Sequence, residues 1–348
     1  MTIGRYVAVG MAVLVAAGSA RAAPYTAEYV FGDSLSDNGN LAEGLYRQNF
    51  PNPPSFQNSF TNGPVAASLL ASRLGLSLTP SLWVTGFQDI NGLYGPSFRP
   101  GSNFAVAAAT AAATPVGGVP GINLPQQVAA YGTSTRGRAD PGALYVVDIG
   151  GNDVRNAALR GTGAAAVTTG VQTELTQIAT LAAAGAKNFL VVNVPNVGVI
   201  PEFVQDNPTL AAIATTYSQQ YNQALASGLA ALRTSTDASL TAFDLYSFNT
   251  NLLANAGGLG FTDTSDRCYT GTPLSAATSA QCGPDAANIG SFFYWDSIHP
   301  SARVQALWAT GFETALGVPE PSSLALTGVG LAGMLVRRRS RRAVSAAG

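Results

Sequence analysis

Residues 143–147 read Ala-Leu-Tyr-Val-Val and are apolar at every position. A strand that is apolar on both faces is typical of a parallel sheet covered by helices on each side. Residues 148–153 follow directly and read Asp-Ile-Gly-Gly-Asn-Asp, a glycine-rich turn with polar side chains. This stretch predicts an α/β fold whose functional groups lie just beyond the carboxyl ends of the strands.

The same alternation of apolar runs and longer helical stretches extends along the chain, with no repeat of fixed period that would indicate a solenoid or propeller. We predict a three-layer α/β/α sandwich. Its strands are expected at 28–31, 144–149, 189–194 and 240–243, and its helices at 63–74, 163–184, 208–233 and 301–316. Three polar, Gly- and Pro-rich segments either line the substrate end of the sheet or are ordinary loops: 44–64, 85–102 and 255–290.

The composition excludes several classes of function. The 348 residues are 47% hydrophobic and 11% charged, which favours a globular domain over a disordered chain. Of the 18 Lys and Arg, seven lie in the two termini, which leaves 11 against the 19 Asp and Glu. An acidic body without a basic patch argues against nucleic-acid binding. Neither a phosphate loop nor a His-Glu-x-x-His motif occurs, so we expect no cofactor and no metal.

The N-terminus has the pattern of a secretory signal peptide. Arg5 precedes an apolar run over residues 6–17, and Ala20-x-Ala22 fits a signal-peptidase site. We therefore predict a signal peptide over 1–22, export of the protein, and a mature domain over 23–317. The alternative, a membrane anchor or buried helix, is weaker because the apolar run is short for a bilayer span.

The C-terminus, 318–342, has the order of a sorting tail. A short Pro-Glu-Pro segment precedes an apolar stretch over 323–336, and five arginines follow. Arginines of this kind stay on the cytoplasmic side of a membrane, which gives the tail a transient membrane contact. The tail resembles the PEP-CTERM motif of Gram-negative bacteria, which implies processing by an exosortase and a final place at the cell surface, in the outer membrane or outside the cell. A plain tail anchor is the alternative, although about 14 apolar residues fall short of the span length.

Cys268 and Cys282 are the only cysteines and lie in a loop rich in Gly, Ser, Thr and Pro. In an exported protein we expect them to form one disulfide. A zinc site needs more Cys or His than this chain has.

A candidate nucleophile follows the first predicted strand. Residues 31–40 read Phe-Gly-Asp-Ser-Leu-Ser-Asp-Asn-Gly-Asn, which places Ser34 where a side chain projects from a strand end into the crevice. Gly32 permits a tight turn before it. We interpret the neighbouring Asp33 as structural, with its carboxylate bonded to backbone amides of the turn. The alternative is that the whole segment is a turn built on Asx caps.

The only histidine, His299, lies in the sequence Asp-Ser-Ile-His-Pro at 296–300. A serine hydroxyl needs a base to become a good nucleophile, and imidazole is the side chain whose ordinary pKa is nearest neutral. Asp296 lies three residues earlier, where its carboxylate can fix the tautomer of the ring and stabilise the imidazolium. The pattern predicts a triad of Ser34, His299 and Asp296.

Asn152 follows the buried strand of the opening stretch, after two glycines. An amide donor fixed in a dry pocket stabilises the oxyanion of acyl transfer, and Asn152 is our candidate for that role. The alternative is a glycine turn in which Asn152 acts as an Asx cap.

Taken together, Gly-Asp-Ser-Leu at 32–35, Gly-x-Asn-Asp at 150–153 and Asp-x-x-His-Pro at 296–300 resemble the blocks of the GDSL, or SGNH, hydrolase family. The resemblance spans nearly the whole mature chain. It implies a flavodoxin-like sandwich with about five parallel strands, Ser34 as nucleophile, His299 as base, Asp296 as its orienting acid and Asn152 as oxyanion donor.

One block departs from the family pattern. Residues 101–110 resemble its Asn-Phe-Ala-x-Gly-Gly-Ala segment, but Ala107 and Ala108 stand in the glycine positions. The family glycine acts through its backbone N–H, so the resemblance implies Ala107 or Ala108 as the third oxyanion donor. A positive φ there would make a Cβ costly.

The function that follows is hydrolysis of carboxylic esters through a Ser34 acyl-enzyme. The substrate is a lipid, an acetylated glycan or an aryl ester. Two alternatives stay open: an acyltransferase using the same acyl-enzyme, and a surface or biofilm-associated binding protein that kept the scaffold with little or no activity.

Overall fold

The computed structural model describes residues 24–52, 54–83, 101–112, 121–271 and 290–318. The predicted signal peptide, all but the first residue of the predicted tail, and most of the predicted loop at 85–102 lie outside these ranges. Pro24–Pro319 forms one compact unit, and the description below concerns that unit. Within the described ranges, no helix is long and apolar enough to cross a membrane.

Four parallel strands form the main sheet, and all lie at the predicted positions: β1 Glu28–Gly32, β2 Leu144–Asp148, β3 Asn188–Val192 and β4 Ser239–Phe243. Their order across the sheet is β1-β2-β3-β4. Their register is straight, so that Glu28, Leu144, Asn188 and Ser239 lie in one row. Every residue of β2 is buried, as its mostly apolar sequence predicts.

A fifth segment runs beside β1 on the side away from β2. The Val30 amide donates to Ser102 O at 3.0 Å, and the Phe104 amide donates to Val30 O at 2.8 Å. The pairing is parallel but too short to form a regular strand. With this segment in second place along the chain, the sheet has the flavodoxin-like order 2-1-3-4-5. The expectation of about five parallel strands corresponds to four regular strands and this segment.

Seven α-helices are present in the described ranges, four of them near predicted positions. Their bounds are α1 Ala66–Arg73, α2 Leu124–Ser134, α3 Gly151–Arg160, α4 Gly163–Ala183, α5 Ala211–Leu232, α6 Leu245–Ala254 and α7 Ala302–Ala315. The predicted helices are α1, α4, α5 and α7, and the sequence did not reveal α2, α3 and α6.

The helices complete a three-layer α/β/α sandwich. Helix α4 packs against α2, α3 and α5, whereas α1 packs against α7, which also contacts β4. The core between these layers is apolar and rich in aromatic rings, with Phe31 stacked on Phe104 at 5.6 Å between centroids. The fold class predicted from the sequence is therefore confirmed.

A small second sheet leads into the segment that carries the histidine. Strand β5, Asp263–Arg267, pairs in parallel with β6, Phe292–Tyr294. Cys268 follows β5 directly and is buried. Its expected partner, Cys282, lies outside the described residues, so the disulfide stays a prediction.

Candidate active site

The turn that carries Ser34 begins where β1 ends and is held from two sides. A Cβ on Gly32 would lie 2.5 Å from the carbonyl oxygen of Asp148 on β2, so only glycine fits at this position. The side chain of Gln127 binds the same residue twice, accepting from the Gly32 amide at 2.9 Å and donating to its carbonyl at 2.8 Å. The strand end is therefore rigid directly before the serine.

Asp33 has the structural contacts that the sequence indicated. Its carboxylate accepts from the Leu35 amide at 3.0 Å, and its backbone carbonyl accepts from the Ser36 and Asp37 amides. Burial, and next the negative charge of Asp148, raise the pKa of Asp33 well above its usual range. Asp33 thus stabilises the turn through hydrogen bonds to its backbone amides.

Ser34 and His299 lie within hydrogen-bond distance although 265 residues separate them. The distance from Ser34 Oγ to His299 Nε2 is 2.8 Å. Both side chains are nearly covered, with 8% of Ser34 and 6% of His299 exposed. This distance is suited to proton transfer from the serine hydroxyl to the imidazole.

The other ring nitrogen of His299 faces Asp296. Nδ1 lies 2.9 Å from Asp296 Oδ1 and 2.8 Å from Oδ2. Oδ1 also accepts from the amides of Ile298 and His299, which fixes the carboxylate. Burial acts to raise the pKa of Asp296, but the charge of His299 and these hydrogen bonds outweigh it, and the net pKa lies below its usual value. The carboxylate is thus held ionised against the ring.

A loop from the first third of the chain supports the histidine. The Phe60 ring lies 5.3 Å from the imidazole between centroids. The Thr61 hydroxyl donates to the Pro300 carbonyl at 3.0 Å, and Asn62 Oδ1 accepts from the Ala302 amide at 2.8 Å. The predicted loop at 44–64 thus lies beside the site and fixes the histidine segment.

Asn152 lies in the first turn of α3. Gly150 is the N-cap residue of that helix at φ 109°, and a Cβ there would lie 2.4 Å from the Tyr221 ring. Asn152 is therefore not an Asx cap, because the cap is a glycine without a side chain. Its Nδ2 donates to Ala109 O at 2.9 Å, which orients the amide and leaves its second N–H for another acceptor.

The two alanines of the divergent block differ in their environment. The Ala107 amide donates to Asp37 Oδ2 at 2.8 Å, so the expectation that Ala107 serves as an oxyanion donor is wrong on geometric grounds. Ala108 is exposed, has φ 67°, and within the described residues its N–H has no acceptor. Of the two, only Ala108 presents a free donor, and it does so in the left-handed conformation that favours glycine.

Two buried carboxylates that the sequence did not single out hold this block in place. Asp37 accepts from four amides, those of residues 39, 40, 41 and 107. Asp153 accepts from the amides of Ala111 and Ala112 at 2.7 and 3.0 Å. Both carboxylates lie inside the serine and asparagine motifs, which was the available signal, but the partners that connect them to residues 107–112 lie far away in the sequence.

An apolar pocket opens beside Ser34 and Asn152. Its walls come from the segment after β3, from β6 and from α7, and its apolar members include Leu35, Val197, Ile200, Phe293, Ile298 and Trp308. Among the described residues, the lining of this pocket therefore comes from regular elements and the segments next to them, and not from the polar segments at 44–64 or 255–290. Within the described ranges, no group of Cys, His, Asp or Glu side chains is suited to hold a metal ion.

Comparisons with known proteins agree with this geometry. Residues 29–312 match the profile of the GDSL-like lipase/acylhydrolase family. Residues 317–342 match the PEP-CTERM protein-sorting motif, which indicates export and surface sorting in a Gram-negative bacterium.

Individual relatives are distant but cover most of the domain. The chain is 29% identical over 337 residues to the GDSL esterase/lipase LIP-4 of Arabidopsis thaliana, covering 86% of this chain and 90% of that protein. It is 34% identical over 198 residues to Lipase 1 of Photorhabdus luminescens, covering 56% of this chain and 26% of that protein. An acetylxylan esterase structure from Geobacillus stearothermophilus aligns at 12% identity and TM-score 0.42 over 85% of this chain and 96% of that one.

Proposed function

The chain belongs to the GDSL-like lipase/acylhydrolase family, a family of serine hydrolases that act on carboxylic esters, and from this premise we propose that Ser34 is its nucleophile. His299 is the general base and Asp296 the residue that orients it. The observation that supports these roles is the continuous hydrogen-bond chain from Ser34 Oγ through the imidazole to the Asp296 carboxylate, at 2.8 Å for both links.

The first half of the reaction forms an acyl-enzyme. As Ser34 Oγ attacks the ester carbonyl, its proton moves to His299 Nε2, and Asp296 stabilises the imidazolium. The tetrahedral intermediate collapses, the bond from the carbonyl carbon to the alcohol oxygen breaks, and His299 returns the proton to that oxygen. The alcohol leaves, and the acyl group stays on Ser34.

The second half uses water in place of the alcohol. Water attacks the acyl carbon while His299 takes its proton, and collapse of the second intermediate breaks the bond to Ser34 Oγ. His299 then protonates the serine oxygen, and the carboxylic acid is released. The site returns to its starting protonation.

Three donors suit the oxyanion of both intermediates: the Ser34 amide, the Ala108 amide and the second Nδ2 hydrogen of Asn152. Within the described residues, neither amide donates to another protein group, and the Asn152 side chain is already oriented by Ala109. A preorganised donor of this kind contributes about 3 to 4 kcal/mol to transition-state stabilisation.

The test is hydrolysis of p-nitrophenyl butyrate by wild type, Ser34→Ala and His299→Ala. We expect both variants to lose turnover by at least about a thousand-fold, because each removes one half of the proton-transfer pair. Ser36→Ala is the matched control, since its hydroxyl donates to Asp148 on the far side of the turn and not to His299. A fluorophosphonate probe should label wild type at Ser34 and leave Ser34→Ala unlabelled. Full turnover in either alanine variant of the pair would refute the assignment.

The route of the protein to the cell surface is the second part of the proposal. A signal peptide over 1–22 would direct export, an exosortase-type enzyme would process the tail over 318–342, and Cys268 and Cys282 would be joined in the oxidising compartment. The sorting motif and the burial of Cys268 support this. Mass spectrometry of the mature protein tests it through its two termini and the mass of the linked cysteine peptides.

A further inference from the structure

Two polar side chains of the pocket beside Ser34 have hydrogen-bonding groups that no other described residue uses. Tyr294 and Asn249 both line it, and they are 2% and 5% exposed. The Tyr294 hydroxyl is fully covered and, within the described residues, has no hydrogen-bond partner. An unpaired buried polar group costs free energy, so the Tyr294 hydroxyl in a mostly apolar pocket points to a ligand that pairs with it.

Asn249 offers donors to the pocket. Trp308 Nε1 donates to Asn249 Oδ1 at 3.2 Å, which fixes the amide with its oxygen toward the tryptophan. Within the described residues, Nδ2 makes no hydrogen bond. Its two N–H groups are therefore available to an acceptor, and the Tyr294 hydroxyl is available as donor or acceptor.

The acyl part of the ester is the part that fits this pocket. The alcohol leaves after the first half of the reaction and needs an open path, whereas the acyl group stays bonded to Ser34, which lines the pocket. The remaining walls are mostly apolar, including Val197, Ile200 and Phe293. An aliphatic acyl chain matches these walls, and an oxygen on that chain matches the two polar groups.

On the basis of the proposed ester hydrolysis, we propose that the preferred substrates are esters of hydroxylated aliphatic acids. A hydroxyl on the acyl chain accepts from Asn249 Nδ2 and exchanges a hydrogen bond with Tyr294 Oη, which an unsubstituted chain does not. A substrate that leaves such buried groups unpaired is disfavoured. The role of Tyr294 and Asn249 is therefore specificity for the acyl group.

The experiment compares kcat/KM for p-nitrophenyl hexanoate with that for p-nitrophenyl hydroxyhexanoates bearing the hydroxyl at successive carbons. We expect at least one hydroxylated ester to exceed hexanoate by about ten-fold or more. Tyr294→Phe should remove most of this ratio, because it deletes the hydroxyl that pairs with the substrate. Its unfolding temperature should not fall, since that hydroxyl has no partner within the described residues. Asn249→Leu should also remove the ratio, and any loss of stability caused by its contact with Trp308 is measured separately by thermal unfolding.

Tyr131→Phe is the control for removing a buried tyrosine hydroxyl elsewhere. That hydroxyl bonds to Tyr145 in the core at 2.8 Å, so the variant should lose stability and keep the hydroxyhexanoate ratio. A hydroxyl placed on the alcohol part of the ester should give no preference. Equal or lower kcat/KM for every hydroxyhexanoate, or an unchanged ratio in Tyr294→Phe, overturns the inference. Hydrolysis of hexanoate with labelling at Ser34 would leave the proposed function standing in that event, whereas failure of both would refute the function itself.

Discussion

Asp37 and Ala107 connect the serine motif to the divergent alanine block through one hydrogen bond of 2.8 Å between Asp37 Oδ2 and the Ala107 amide. The same carboxylate binds three amides of its own turn. Burial raises the pKa of Asp37 to about 6, although the four hydrogen bonds act to lower it. The position of Ala108 relative to Ser34 therefore depends on a buried carboxylate that takes no part in proton transfer.

Replacing Asp37 by Asn should impair both folding and turnover. The amide presents N–H groups where one carboxylate oxygen accepted, so two of the four backbone donors lose their acceptor. We expect a loss of about 2 to 4 kcal/mol in the free energy of unfolding, measured with urea. We also expect kcat for p-nitrophenyl butyrate to fall by about ten-fold or more with a smaller change in KM, because the Ala108 donor acts in the transition state. A stable variant with wild-type kcat would contradict the positioning role.

Ala108→Gly should stabilise the protein. At φ 67° an alanine is strained by about 1 to 2 kcal/mol, and glycine relieves this strain at the expense of a more flexible unfolded chain. The expected net gain is about 0.5 to 1 kcal/mol in urea unfolding, with kcat within about two-fold of wild type because the backbone donor is kept. The neighbouring Ala109→Gly is the control: Ala109 is fully buried and its φ is not positive, so glycine there should destabilise. A destabilised Ala108→Gly would show that the strain is absent.

Ala108 also marks a limit of what the sequence reveals. Its place in the glycine pattern identified the position and the cost of a positive φ, but the sequence does not contain the φ value itself. Ala107 stands in the same pattern, and its amide is used by a carboxylate 70 positions away in the chain. Short-range motifs predict which residue types meet at the site, whereas the distribution of individual N–H groups depends on tertiary contacts.

The raised pKa of the buried Glu174 carboxyl should make the protein less stable as the pH rises. This residue is fully buried, with the Tyr221 hydroxyl donating to Oε2 at 2.6 Å, and burial raises its pKa from 4.5 to about 8. The folded state therefore retains a proton that the unfolded chain releases, and its stabilising effect is complete below pH 4.5 and lost as the pH rises through about 8. Each unit of raised pKa corresponds to about 1.4 kcal/mol.

The measurement is urea unfolding between about pH 4 and pH 9 for wild type and Glu174→Gln. The variant keeps an acceptor for Tyr221 and should lose clearly less stability above about pH 7, where Asp37, Asp148 and Asp153, each with a pKa of about 6, have released most of their protons. Asp237→Asn is the control, because the hydrogen bond from Lys187 lowers the pKa of that exposed carboxyl and confines its effect to acid. Parallel pH curves for wild type and Glu174→Gln would show that Glu174 does not titrate in this range.

The sequence predicted the strands of the fold better than it predicted the contacts that hold the active-site residues in place. Apolar runs such as 143–147 predicted the strands, because a strand that is buried on both faces has apolar residues at every position. Helix α3 was not predicted because it begins at Gly151 inside a glycine turn, and its N-cap residue, Gly150, has no polar side chain that would mark a helix start. The two hydrogen bonds between Gln127 and Gly32 were not predicted for another reason. They join residues 95 positions apart, and neither sequence segment contains a local pattern that indicates them.

Asp296→Asn should retain the fold and lose most of the activity. Asn Oδ1 can still accept from the backbone amides of residues 298 and 299, which places Nδ2 opposite His299 Nδ1 where Oδ2 now lies. Because Nδ2 is a donor, Nδ1 must accept, and the ring proton then sits on Nε2, which faces Ser34 and can no longer take its proton. We expect kcat for p-nitrophenyl butyrate to fall by about 10⁴-fold with little change in KM. Asp33→Asn is the comparison, because its carboxylate faces the Leu35 amide and not the imidazole, and its effect on kcat should be far smaller. Comparable kcat losses in the two variants would show that Asp296 acts through general stability and not through the tautomer of His299.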